Sequence, residues 1–141
     1  MTNFTKNLMV AAAALVVTAG AVSAQTLKAD IPFAFQVSGK VMPAGTYQVD
    51  YSRIQSDRTV LFRGVDNRYS ALAIKTSTAD AGRQWREDGR ARLAFECGTS
   101  VCSLTGMWDG TSVFAYGLSH PRTVEMGTRI AVVIMRPDNG E

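Results

Sequence analysis

Two cysteines, one histidine and a run of arginines around a tryptophan are the side chains in this 141-residue sequence whose types and spacing suggest chemistry. Cys97 and Cys102 stand in "FECGTSVCSL" with four residues between them, the length of a common hairpin loop. Facing each other across that loop they would form a disulfide, a staple worth about 2 kcal/mol in the chain-entropy model. A redox pair would want two intervening residues, and a metal site more His and Cys ligands than the chain supplies. The pair therefore reads as structural, and neither a metal nor a cofactor is expected. His120 precedes Pro121 in a loop-like stretch with no nucleophile signature nearby, so it reads as an exposed loop residue and not as a triad base. The acids are scattered, with Asp57, Asp66, Asp109 and Asp138 in turn-like settings. Spacing marks no carboxylate pair for hydrolysis, although spacing in the chain does not fix spacing in space. No glycine loop of the phosphate-cradling types occurs. No catalytic residue is assigned, and the chain reads as non-enzymatic.

The arginines form the better candidate. Arg83, Arg86, Arg90 and Arg92 surround Trp85 in "GRQWREDGRAR". Arginine beside an exposed aromatic suits anionic sugars or phosphates, through forked hydrogen bonds and stacking. Glu87 and Asp88 lie within the run and reduce its charge, so a solvated loop is the plainer reading. Arg83, Trp85, Arg86 and Arg90 are the candidate binding residues. Arg53, Arg58, Arg63 and Arg68 also recur at a fixed interval. That interval is odd, so along a strand they would alternate faces and make no stripe.

The beginning of the chain is an address. Lys6 lies in a short positive region, residues 8–17 are an unbroken apolar run, and small residues follow, ending "AVSA". This is the pattern of a secretory signal cut between Ala24 and Gln25. Ten apolar residues fall short of the roughly 20 that a membrane span needs, so no transmembrane anchor is expected in the mature chain. Residues 1–24 are read as the signal peptide and 25–141 as one β-domain. Loss of Lys6 lowers the formal net charge from +3 to +2, too small an excess to imply a nucleic-acid partner. An oxidising destination, periplasmic or extracellular, agrees with a disulfide.

Beyond the signal, two-residue periodicity recurs between Gly, Pro, Asn and Asp breaks. Ile31, Phe33, Phe35 and Val37 share one face; Tyr47, Val49 and Tyr51 make the next. Pro32 cannot donate to a ladder, which places it at an edge or a bulge. Further strands are expected over 59–63, 70–75, 91–97, 101–108, 111–118 and 128–135. The fold class is all-β: a single-domain antiparallel β-sandwich or small barrel of about eight strands. If Cys97 opposes Cys102, then Phe95 opposes Leu104 and Ala91 opposes Trp108, which puts Leu93, Phe95, Leu104 and Trp108 on one buried face. Asp109-Gly110 suits a two-residue turn that completes a three-strand meander over 91–118. Residues 76–89 read as a long polar loop, 119–127 as a second loop or short helical turn, and the tail "RPDNGE" as frayed. "RIAVVIM", apolar on both faces, reads as a strand covered on two sides.

"CSLTGMW", from Cys102 to Trp108, resembles the opening strand of the avidin family, eight-stranded barrels that bind biotin. The likeness spans seven residues and gives way to "DGTSVFAYG" where that family's polar continuation would stand, so it is read as coincidental convergence on a strand sequence. "DIPFAFQVSGKVMPAGTYQV" resembles a group of short exported bacterial proteins of unknown function that carry an Ile-Pro-Phe-x-Phe-x-Val strand and a Pro-Ala-Gly-x-Tyr turn. That resemblance implies export and a β-fold, with no catalytic residues.

The expected function is therefore binding, or assembly in the envelope or outside the cell. A carrier for a small apolar ligand is an alternative, but large residues such as Phe33, Phe35, Tyr47, Phe95 and Trp108 point to a filled interior. A carboxylate-based hydrolytic domain is a second alternative. An outer-membrane barrel would need longer strands and a continuous lipid face. With a tight Asp-Gly turn, Met107, Phe114, Tyr116 and Leu118 would form an outer apolar patch, a candidate surface for self-association or for an envelope protein or glycan partner.

Overall fold

A computed structural model describes residues 26–99, 101–121 and 127–138. The expected signal and its cleavage site, and part of the loop at 119–127, lie outside the described residues. Ten strands follow in chain order: β1 (Thr26–Ile31), β2 (Phe35–Val37), β3 (Lys40–Met42), β4 (Gly45–Asp50), β5 (Thr59–Gly64), β6 (Ser70–Asp80), β7 (Arg92–Cys97), β8 (Cys102–Trp108), β9 (Phe114–Leu118) and β10 (Arg129–Pro137). One helix, α1 (Arg83–Asp88), joins β6 to β7. Eight strands close an antiparallel barrel in the order β1-β4-β5-β6-β9-β8-β7-β10. The expected all-β architecture is a barrel and not a sandwich. β2 and β3 form a hairpin outside the ring, and β2 runs parallel to the start of β8 through Phe35↔Cys102. One edge of β8 thus carries β2 over its first half and β9 over its second.

Alternation places the apolar residues inside. Tyr47, Val49, Val60, Phe62, Leu93, Phe95, Met107 and Leu118 are all at most 1% exposed. Phe35 meets Tyr47 and Phe95 edge-to-face, with ring centroids 5.1 and 5.6 Å apart, and Phe33 meets Phe95 at 5.0 Å. Such pairs add about 0.5–1.5 kcal/mol each beyond area burial. At one end of the barrel the segment 51–58 folds inward: Ile54 is buried, and the Gln55 side-chain amide donates to the Tyr116 hydroxyl at 3.0 Å. At the other end Phe35, Val37 and Met42 of the β2–β3 hairpin are buried. There the Tyr47 hydroxyl donates to the Pro43 carbonyl at 2.6 Å.

Several expectations need correction. The opening apolar run is two strands, because the chain leaves the ring across 32–34, and Pro32 stands at the break. Residues 76–89 are not a loop. β6 continues through Asp80 by pairing with β9 across an irregularity between Lys75 and Ser77, and α1 follows. Backbone pairing makes that extension, so side-chain polarity did not announce it. Asp109-Gly110 is not a two-residue turn: the connection runs over 109–113, where the Asp109 carboxylate accepts from the backbone N–H of Thr111 and Ser112. Gly110 has φ 88°, and a Cβ there would lie 2.9 Å from the Ala91 backbone nitrogen, so the turn requires glycine. The tail is anchored through residue 138. Arg136 and Pro137 belong to β10, and the Asp138 carboxylate accepts from Gln48 at 2.6 Å and pairs with Lys28 at 3.5 Å.

The largest correction concerns faces. Phe95↔Leu104 holds as expected, but the register then slips to Ala94↔Gly106, so Trp108 opposes Arg92 and not Ala91. Thr105 is the extra residue, and one extra residue exchanges inside for outside in everything that follows. Met107 therefore points inward and Trp108 outward. Met107, Tyr116 and Leu118 are 1%, 6% and 1% exposed; they are core, and only Phe114 of the expected outer patch is exposed. β10 is also covered on one side only. Val133 and Met135 are buried, whereas Ile130, Val132 and Ile134 are 67%, 43% and 39% exposed.

Candidate functional site

The arginine–tryptophan segment forms a clamp on the outside of the barrel. α1 is six residues long, too short to persist alone. The left-handed Gly89 ends it, its N–H donating to the Trp85 carbonyl at 2.9 Å. Trp85 is half-buried against the outward-facing Trp108, with centroids 6.2 Å apart. The Arg92 guanidinium lies over both rings, 5.1 Å from Trp85 and 5.9 Å from Trp108, so it satisfies the ring faces that an anionic sugar with a cationic neighbour would have used. Trp108 donates its indole N–H to the Ser112 carbonyl at 2.8 Å, which fixes the ring.

Every arginine of the run has a carboxylate partner. Arg83 pairs with Glu87 at 3.0 Å, Arg86 with Asp80 at 3.7 Å, and both Arg90 and Arg92 with Asp88. The hydrogen bonds from Arg90 and Arg92 hold the Asp88 carboxyl below the ordinary aspartate range. Arg83, Trp85, Arg86 and Arg90 are thus brought together as expected, in a cluster that supports Trp108 and α1 and whose four guanidiniums share three carboxylates. Arg92, 9% exposed, is its centre. Alternation with the inward Leu93 and Phe95 is the signal that turns it outward.

Cys97 and Cys102 form the expected disulfide, at the tip of the β7–β8 hairpin. His120 is exposed, its Nδ1 donating to the Leu118 carbonyl at 2.8 Å. Among the described residues no group of three or more His, Cys, Asp or Glu could hold a metal ion. No helix among them is long and apolar enough to cross a membrane.

Two clefts flank the 51–58 segment. The larger, of about 380 Å³, is lined by Asp50, Ser52, Arg53, Asp57, Thr59, Leu61 and Leu72. Its acids are engaged: Asp57 pairs with Arg53 at 3.5 Å, and Asp50 accepts from the Ser52 backbone at 2.9 Å. Its apolar floor continues onto the outer wall, where Leu72 and Ile74 are 53% and 49% exposed. The smaller cleft, about 230 Å³, is lined by Arg58, Lys75, Thr76, Ser77 and Thr78. Neither Arg58 nor Lys75 pairs with a carboxylate among the described residues; Lys75 instead sits 5.4 Å over the Tyr116 ring. Sequence spacing does not connect Arg58 to Lys75; the β5–β6 pairing brings them together. Tyr51 lies at the same end of the barrel, its hydroxyl pushed up by burial and then by the neighbouring Asp109 and Tyr116.

No protein-family model, no curated protein and no solved structure matches this chain.

Proposed function

We propose that this protein is a non-enzymatic, exported β-barrel domain that works by binding and assembly through the outside of its barrel, in the periplasm or beyond the cell. The observation that carries the reading is β10. Its sequence suits a strand between two apolar layers, yet Ile130, Val132 and Ile134 stand exposed in a row, with Ala94 beside Val132. A second copy fits this wall. Glu96 opposes Ile130 at one end of the stripe, and Arg136 follows Ile134 toward the other. A two-fold axis near Val132 would lay the two apolar stripes against each other. The disulfide supports an oxidising destination. The filled interior favours binding on the outside over carriage of an apolar ligand within.

Native mass spectrometry of material purified from an oxidising compartment tests this. Discrete oligomers are expected, and Val132→Lys should reduce them to monomer. A wild-type protein that stays monomeric at high concentration would overturn the assembly, and a co-purifying apolar molecule would favour the carrier.

A further inference from the structure

The smaller cleft has the shape of a missing strand. β5 pairs with β6 as far as Thr59↔Ile74, and the Lys75 backbone N–H donates to the Arg58 carbonyl at 2.8 Å. Another few residues in the same direction would cover the edge of β6. Instead the chain turns away at Arg58, a non-glycine residue at φ 57°, and dives over the barrel end with Ile54 and Gln55. β6 runs on without that neighbour. From Ser77 to Asp80 it pairs with β9 on its other side, and residues 76–80 are all exposed. Alternate backbone N–H and C=O groups of a strand point to each side, so part of this stretch presents to the slot an edge with no strand partner among the described residues. Another free edge, that of β3, is three residues long and has Lys40 turned back onto the Ser70 carbonyl at 2.6 Å.

The charge at the head of the slot is one-sided, and the acid at its far end, Asp80, pairs with Arg86 at 3.7 Å. Arg58 and Lys75 stand at its head and hydroxyl residues run along it. Asp57, the nearest acid in sequence, lines the other cleft and pairs with Arg53. We infer that this slot receives an extended strand of a partner polypeptide, one that carries a carboxylate side chain to meet Arg58 and Lys75. The added strand extends the ladder along residues 76–80, and the two cations set its register. This deepens the reading of the protein as a binding domain and rests on it. The site is separate from the β10 wall, so the two can fail separately.

The test is selection of displayed random nonapeptides on the immobilised, disulfide-bonded protein. Enriched peptides should be acidic. They should bind Lys75→Met and Arg58→Gly about tenfold or more weakly, the loss of one charged hydrogen bond in each case. Methionine replaces the ammonium over Tyr116 with thioether packing on the ring, and glycine accepts the left-handed backbone, so both variants should fold and melt close to the wild type. On binding, alternate amides within 76–80 should be protected from hydrogen exchange. Failure to enrich peptides, enrichment without acids, unchanged affinity in both variants, or unchanged exchange across 76–80 would each overturn the proposal. Val132→Lys should retain full peptide binding, whatever its effect on assembly.

Discussion

The guanidinium carbon of Arg92 lies 5.1 Å from the centre of the Trp85 ring, and that contact ties α1 to the barrel wall. Arg92 also donates through Nε to the Arg90 carbonyl at 3.1 Å, so one side chain holds the helix, the following turn and Trp108 together. Arg92→Ala should cost about 2 kcal/mol, from cation–π contact with two rings and the packing of the aliphatic stem. A lower urea midpoint at unchanged slope would show it. Tryptophan emission should move to longer wavelength as Trp85 leaves Trp108. Arg92→Lys should recover only part of the loss, since an ammonium lacks the planar fork.

The same clamp should open in acid. Arg90 and Arg92 lower the folded-state pKa of Asp88. A depressed carboxyl stabilises the fold above its unfolded value and loses that contribution as pH falls through the folded one. Tryptophan emission should therefore hold steady down to about pH 4 and change below it. In Asp88→Asn the acid-dependent change should vanish, with the neutral-pH spectrum already shifted part of the way. An unaltered acid transition in that variant would assign it to another carboxyl, Asp30 first. The Arg136 and Thr46 hydrogen bonds lower that group in the same sense.

Reduction of the Cys97–Cys102 disulfide should destabilise by about 2 kcal/mol without unfolding the barrel, because the closed loop is short. Exchange should accelerate at the tip of the β7–β8 hairpin and leave β4 and β5 unchanged. Global loss of exchange protection on reduction would contradict this.

Deletion of Thr105 should be far more damaging than its half-buried position suggests. Without the extra residue, Met107 would turn outward and Trp108 into a barrel already filled by Leu93, Phe95 and Tyr116. Overpacking costs about 1–3 kcal/mol, and the lost burial of Met107 adds to it, a large share of the roughly 5–15 kcal/mol that holds a typical domain, so the variant should be recovered largely as aggregate. Thr105→Ala keeps the residue count and should fold, losing one 3.3 Å hydrogen bond to the Ala94 carbonyl.

Two-residue periodicity by itself determined the class of this protein, because a strand with one buried face must alternate. Phe95 opposite Leu104, the hairpin disulfide and the β7–β8–β9 order follow from local spacing, which short-range geometry constrains tightly. Tertiary structure decided the rest. The extra residue at Thr105 leaves no mark in composition, yet it exchanges the roles of Met107 and Trp108 and turns the expected outer patch into core. The polar 76–80 segment pairs as a strand because β9 offers it a backbone partner. The arginines around Trp85 pair with acids close by in sequence, while Arg58 and Lys75, remote in sequence, meet because β5 and β6 are neighbours. Which side chains share a face depends on register counted around a closed ring, and register is a property of partners that lie far apart along the chain.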